Sequence, residues 1–311
     1  MPQESRSELD YEIERVNKAR YNQEFSVRAL TSAPPTTPTD CGEYFHKLAK
    51  TRFDLIRKHG HHRVVLDLCC GVGDYLFKSR DFIESGVGVD FSTKMISVAN
   101  SKKASMKASQ IEFAVCNARQ LPYRDKIFDL AYSFSSLYYI PQPQEVVFEA
   151  ARVLKPDSIA IFEFGNLHSI NTIVSKAHSE LAIPCHIRVS DMESAIRDAG
   201  FEVLECRRFQ ILPMWGNKPW WLRPLLHPIW KRMLQREINQ RMVDELVCNM
   251  PIFQRYCFRQ LFVCRKRRRQ YGCAFIGTTS RRGRVFPCDP ENDIPGSSRC
   301  LRQGPYWKSV R

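Results

Sequence analysis

Between residues 64 and 164, short apolar runs alternate with segments whose apolar positions recur every three or four residues. VVLDLCC (64–70), GVGVDF (86–91), IEFAVCN (111–117), FDLAYSFSSLYYI (128–140) and DSIAIFEF (157–164) read as strands. Residues 74–83, TKMISVANSKKASM (93–106) and QPQEVVFEAARVL (142–154) read as helices. Strands alternating with helices of about ten to fifteen residues predict right-handed crossovers. The expected fold is therefore α/β, a doubly wound, mostly parallel, seven-stranded sheet.

After the fifth strand the period blurs over 165–189, which reads as a helical insertion on the substrate side. Ser190-Asp-Met-Glu193 has the form of a capping box opening a helix to Gly200, followed by a strand, FEVLECRRF (201–209). Residues 211–230 are rich in Trp and Pro and irregular. A helix from Lys231 to Cys248 and a seventh strand, FRQLFVC (258–264), are expected to close the sheet. At the other end, residues 8–30 read as a helix with weak amphipathic spacing at Leu9, Ile13, Val16, Phe25 and Leu30. A Pro/Thr-rich linker follows to Asp40, which could cap a helix through Leu48 and Ile56 to Gly60. Three regions result: an N-terminal helix and linker (1–40), a globular domain (41–264) and a basic, largely disordered tail (265–311).

Composition changes this picture little. With 43% hydrophobic residues in 311, the chain can bury a sizeable core. No apolar run reaches the length of a spanning helix, and the first 30 residues lack an apolar signal core, so a cytoplasmic location is expected. The twelve cysteines form no C-x-x-C pair; reduced thiols are expected, with no metal site and no disulfide framework. The net charge of +14 is uneven. Residues 265–311 hold 12 bases and three acids, a net of +9, which leaves 35 bases and 30 acids, a net of +5, for residues 1–264. The basicity belongs mainly to the tail and does not by itself make the domain a nucleic-acid binder.

Ligands of open parallel sheets bind beyond the carboxyl ends of the strands. Here those ends carry Gly71 and Gly73 at a sharp strand-to-helix turn, then Asp90, an acceptor suited to ribose hydroxyls. Asn117 could hydrogen-bond an adenine edge, and Ser133 and Phe134 end the fourth strand. A dinucleotide site would need a third glycine, but Leu76 stands there. Asp74 in the first helical turn would also repel a pyrophosphate. Acids at 67 and 74 suit a cationic ligand instead.

Taken together, VLDLCCGVGD, GVGVDFSTKMISVA, NARQLPYRDKIFDLAYSFSSLYYI, EAARVLKPDSIAIFEF and SAIRDAGFEVLE resemble the class I S-adenosylmethionine-dependent methyltransferases. The resemblance covers about Arg63 to Phe209 and lies nearest the small-molecule branch of the ubiquinone/menaquinone biosynthesis enzymes. It implies S-adenosyl-L-methionine as cofactor. Asp67, Gly71 and Gly73 would surround its methionine part, with Asp90 on the ribose and Phe91, Asn117 and Ala118 on the adenine. Ser133 and Phe134 would border the sulfonium. Cys69 stands where the family has its first glycine, a substitution that fits if its φ is negative; Cys70 would pack beneath the loop.

Methyl transfer is a displacement at carbon, so a general base is needed only if the nucleophile must lose a proton. His168, Glu163 and Tyr138 are the leading candidates for such a base, with Tyr139, His178 and His186 behind them. The Asn/Asp-Pro-Pro-Tyr signature of amino-group methylation is absent after the fourth strand, which favours O- or C-methylation of a small, aromatic or lipid-like acceptor. Trp215, Trp220, Trp221 and Trp230 beside Lys218, Arg223, Lys231 and Arg232 suit a peripheral membrane contact or an apolar substrate mouth. An RNA (tRNA-type) methyltransferase, with nucleic acid as partner, and a noncatalytic adaptor retaining the fold are the alternatives.

Overall fold

The computed structural model describes residues 3–268 except 32–41, 180–181, 215 and 217. The expectations placed on the tail beyond residue 268, on the linker and on Trp215 lie outside the described residues.

Helix α1 (Gln3–Thr31) and helix α2 (Gly42–Gly60) precede the sheet. Then come β1 (Val64–Leu68), α3 (Asp74–Ser79), β2 (Ser85–Asp90), α4 (Thr93–Met106), β3 (Ile111–Val115), β4 (Phe128–Ser133), α5 (Pro143–Val153) and β5 (Leu154–Gly165). Helix α6 (Ile170–Ala177) follows β5, capped by Ser169, whose hydroxyl accepts from Thr172 N. Next are α7 (Val189–Asp198) and β6 (Phe201–Phe209).

Beyond β6, the helix expected from Lys231 to Cys248 is broken. The chain instead forms α8 (Pro228–Leu234), a hairpin of β7 (Glu237–Ile238) and β8 (Arg241–Met242), and α9 (Val243–Cys248). Asn239 and Gln240 turn the hairpin at φ 51° and 63°, a two-residue left-handed turn that helical periodicity cannot reveal. Strand β9 (Arg259–Lys266) completes the sheet. It runs two residues past the boundary expected at 264. Lys266 donates to the carbonyls of Ala151 and Leu154, and Arg265 pairs with Glu202, so the start of the basic run is part of the sheet.

The strand order is β3-β2-β1-β4-β5-β9-β6. β1, β2, β3, β4 and β5 pair in parallel, and β9 inserts antiparallel between β5 and β6. Each face buries its own core. Val146, Val147 and Ala150 of α5 and Ile196 of α7 cover one side, while Leu55 and Ile56 of α2 and Leu76 and Phe77 of α3 cover the other. A third cluster of Tyr44, Leu48, Phe209, Met214, Leu234 and Met242 fastens the segment after β6 onto α2. The carboxyl ends of β1 to β6 thus open at one edge, between α1, α2 and this covering segment.

Candidate functional site

A cavity of about 460 Å³ lies at that edge. It is lined by Cys69 and Gly71 after β1, Asp90 at the end of β2 and Phe91 after it, Asn117 and Ala118 after β3, and Phe134 after β4. Seven of the ten positions expected to bind cofactor therefore meet in one place. The other three lie behind the wall: Asp67 and Ser133 are buried within their strands, and Gly73 closes the loop from beneath. A Cβ on Gly73 would come within 2.4 Å of Phe113, so that glycine keeps the loop close to the sheet.

The β1–α3 loop places Cys69, Gly71 and Gly73 at φ 61°, 56° and 77°. The turn is held from within: Cys70 N donates to Val89 O (2.9 Å), Gly73 N to Cys70 O (3.0 Å) and Gly71 N to Asp90. Cys69 corrects the expectation of a negative φ, because the loop needs the left-handed conformation at the position where the family has glycine. Cys70 packs underneath, its Sγ within 2.8 Å of where a Cβ on Gly88 would stand.

Asp90 ties the loop to β2. One carboxylate oxygen accepts from Gly71 N (2.9 Å) and the other from Ser92 N (2.9 Å). Burial pushes its carboxyl up, opposed by those N–H groups and by Lys18 nearby. Asp67 is buried more deeply; burial raises it well above the ordinary range. Its carboxylate faces the Tyr132 hydroxyl, but Oδ2 closes no hydrogen bond. Asn117 is exposed, and its Oδ1 accepts from Arg119 N (2.9 Å), so its carbonyl is spent on a turn and its amide remains for a ligand.

The far wall was not anticipated. Tyr11, Glu14, Arg15, Asn17, Lys18 and Tyr21 of α1 line the cavity. Asn17 is buried; its Nδ2 donates to the carbonyls of Tyr139 (2.9 Å) and Ile183 (3.2 Å), and its Oδ1 accepts from Ile183 N (2.9 Å). Glu14 pairs with Arg119, and Tyr21 packs edge-on against Phe91 and Tyr139. The signal was available: positions 11, 14, 18 and 21 step by three and four, one face of a helix.

None of the three expected catalytic residues lines this cavity. Glu163 is completely buried, and Arg52 grips both its oxygens (Nε and Nη2, 2.7 Å each) while Arg259 donates to Oε1. Burial alone would raise its carboxyl, yet the two guanidiniums hold it below the usual carboxylate range. A carboxylate so occupied is an anchor rather than a proton acceptor. Tyr138 accepts a hydrogen bond from Arg259 Nη1 (3.2 Å) and lies in the same network. His168 lines a separate cavity of about 450 Å³ with Glu193, Arg188, Arg208 and Arg255. Of the remaining histidines, His186 is bonded to Thr172 Oγ1 (2.8 Å), and burial pulls it down to about 4.

The ion cluster nevertheless reaches the cavity. Ser135, which lines it, accepts from Arg52 Nη2 (2.7 Å) and Arg259 Nη1 (3.0 Å). Arg259 Nε also donates to Gln210 Oε1 (2.8 Å), and Gln210 N donates to Asp244, which accepts from the Tyr44 hydroxyl as well. A buried polar chain therefore runs from the cavity wall through β5 and β9 to the covering segment.

The fold has counterparts in known proteins. The family model described as "Methyltransferase domain" matches residues 59–223, more than half of the chain, and the protein belongs to that family. A demethylmenaquinone methyltransferase of Oceanobacillus iheyensis is 36% identical over 94 residues, 29% of this chain and 40% of the relative. The O-methyltransferase cnsE of Penicillium expansum is 29% identical over 150 residues, 47% of this chain and 54% of the relative. The match thus spans about half or less of these relatives. Among solved structures, the geranyl diphosphate C-methyltransferase of Streptomyces coelicolor, in complex with Mg2+, geranyl diphosphate and S-adenosyl-L-homocysteine, superposes with a TM-score of 0.51. That likeness covers 71% of this chain and 80% of the other at 15% identity, and shows the shared fold alone.

Proposed function

We propose that the protein is a methyltransferase that transfers the methyl group of S-adenosyl-L-methionine to an O or C atom of a small, aromatic or lipid-like acceptor. The observation that carries this reading is the cavity itself, in which the glycine loop, Asp90 and the residues after β3 and β4 converge. The residues present fit such a cofactor. Asp67 Oδ2, behind the cavity wall, is a buried polar atom without a hydrogen-bond partner. Both Asp90 oxygens keep lone pairs for ribose hydroxyls beyond the N–H groups they already accept. Phe91 and Ala118 offer apolar faces to a base, and the Asn117 amide can donate to it. The structural relative that binds S-adenosyl-L-homocysteine shares this fold, and the relatives named above are a demethylmenaquinone methyltransferase and an O-methyltransferase.

When bound, the cofactor supplies an electrophilic methyl on a good leaving group. The chain's own contribution is then to hold the acceptor in line and keep water out. Helix α1 closes the outer wall, and Phe134 and Tyr139 bound the inner side. Two guanidiniums facing one carboxylate behind Ser135 favour an acceptor oxygen or carbon that carries negative charge as it attacks. The reading therefore assigns no side-chain base; it expects an acceptor that ionises readily, such as a phenol or hydroquinone.

The test is transfer of label from tritiated methyl donor into separate pools of phenolic and quinol compounds, lipids and RNA. Label in the phenolic, quinol or lipid pool supports the reading. Label confined to RNA, or in none of the pools, contradicts it.

A further inference from the structure

The segment that covers the carboxyl edge of β6 presents an unusual surface. A short 3-10 helix, Trp220–Leu226, leads into α8. Leu222 and Leu234 turn inward, and the indole of Trp230 donates to the Pro224 carbonyl (3.2 Å), which holds the two pieces together. The largest side chains face out. Trp220 is 76% exposed, Trp221 53% and Trp230 42%, with Ile229 and Met233 beside them on α8 also exposed. Leaving three indoles in water forgoes the burial of a large apolar area, so such a cluster marks a surface that is covered when the protein works.

The charge around it selects what covers it. From Glu205 to Glu237 the sequence contains no Asp or Glu between those two residues. Arg223, Arg232 and Arg236 are exposed there, and no ion pair engages them among the described residues. Tryptophan beside unpaired arginine is the chemistry of the interface between anionic headgroups and acyl chains, where an indole has an apolar body and a polar edge. No described helix is long and apolar enough to cross a membrane, so contact would be from one side.

We infer that Trp220, Trp221 and Trp230, framed by Arg223 and Arg232, dock the protein on a bilayer containing anionic phospholipid. The patch belongs to the segment that Phe209, at the carboxyl end of β6, packs against through Met214 and Leu234, and that end shares the sheet edge with the cavity, so docking brings that edge toward the membrane. Each arginine near an anionic surface contributes about fivefold to partitioning, and the indoles add apolar burial.

The experiment measures co-sedimentation of the full chain with vesicles of phosphatidylcholine alone and of phosphatidylcholine mixed with phosphatidylglycerol. Binding is expected to the mixed vesicles and to be much weaker with phosphatidylcholine alone. The double variant Arg223→Gln/Arg232→Gln should lose about 25-fold in partitioning. The triple variant Trp220→Ala/Trp221→Ala/Trp230→Ala should lose binding; the double variant Trp220→Ala/Trp221→Ala, which spares the Trp230–Pro224 hydrogen bond, should weaken it while its thermal unfolding midpoint stays near wild type, because those two side chains are exposed. Brominated acyl chains should quench wild-type tryptophan fluorescence, and this quenching should largely vanish in the triple variant. Three outcomes overturn the inference: no wild-type binding to mixed vesicles, triple-variant binding equal to wild type (adhesion elsewhere, such as the basic residues after 268), or loss in the triple variant of a dimer seen by sedimentation. Vesicle binding is read without donor or acceptor, so its failure leaves the methyl-transfer reading intact.

Discussion

Glu163 illustrates what a single residue's surroundings decide. By position it is a carboxylate on the strand that borders the cavity edge; by contact it is the shared counterion of Arg52 and Arg259. Removing one member of a buried ion cluster leaves uncompensated charge and costs about 3–5 kcal/mol. Glu163→Gln is therefore expected to lower the unfolding free energy by about that amount in urea denaturation. A variant with unchanged stability and lost activity would instead make Glu163 a base. Two other positions divide in the same way. Asp90 was legible only through its company with the glycine loop and Asn117, since an acid in that place also serves as a cap, and here it does accept from Gly71 N and Ser92 N. Cys69 was legible as a loop position but not in its backbone, since sequence spacing carries no φ. A cysteine at φ 61° costs about 1–2 kcal/mol relative to glycine, a strain that the loop's ties to Asp90 and Val89 absorb.

At the scale of elements, α1 matters most. Its weak aliphatic stripe did not point to the domain; the face it uses, with Tyr11, Glu14, Lys18 and Tyr21, is polar and aromatic, and its helical spacing was the signal available. Asn17 fixes it through three hydrogen bonds to Tyr139 and Ile183, and each buried group left unpaired costs about 1–3 kcal/mol. Asn17→Ala should loosen the helix over the cavity and raise the dissociation constant for cofactor by about tenfold, since 1.4 kcal/mol is a factor of ten. Titration calorimetry checks this; an unchanged constant would mean that α1 is not a wall of the occupied site. The parallel strands and their helices were legible because apolar runs of five to seven residues separated by 3.6-residue periods have few other solutions. The region after β6 was not, because α8, the hairpin and α9 are short and their boundaries rest on turn geometry at Asn239 and Gln240.

Across the whole molecule, one topological fact organises the site. β9 inserts between β5 and β6, which brings Arg259 beside Glu163 although 96 residues separate them. Such a contact has no signature in a single sequence, and neither does its partner Arg52 on α2. In the proposed reading, the residues assigned to the cofactor come from local strand-to-helix turns and could be anticipated, whereas the Arg52–Glu163–Arg259 cluster assigned to the acceptor side arises from long-range packing and could not. The acceptor identity accordingly rests on the charge and shape of that second half.

In the proposed reading the cavity holds S-adenosyl-L-methionine through Asp90. Isothermal titration of the cofactor into the full chain, alongside Asp90→Asn, measures it most directly. A hydrogen bond to a charged group is worth about 1.5–3 kcal/mol. The account thus predicts saturable one-site binding by wild type, weakened by about tenfold or more in a variant that remains folded by circular dichroism. No binding by wild type, or equal binding by Asp90→Asn, would contradict it.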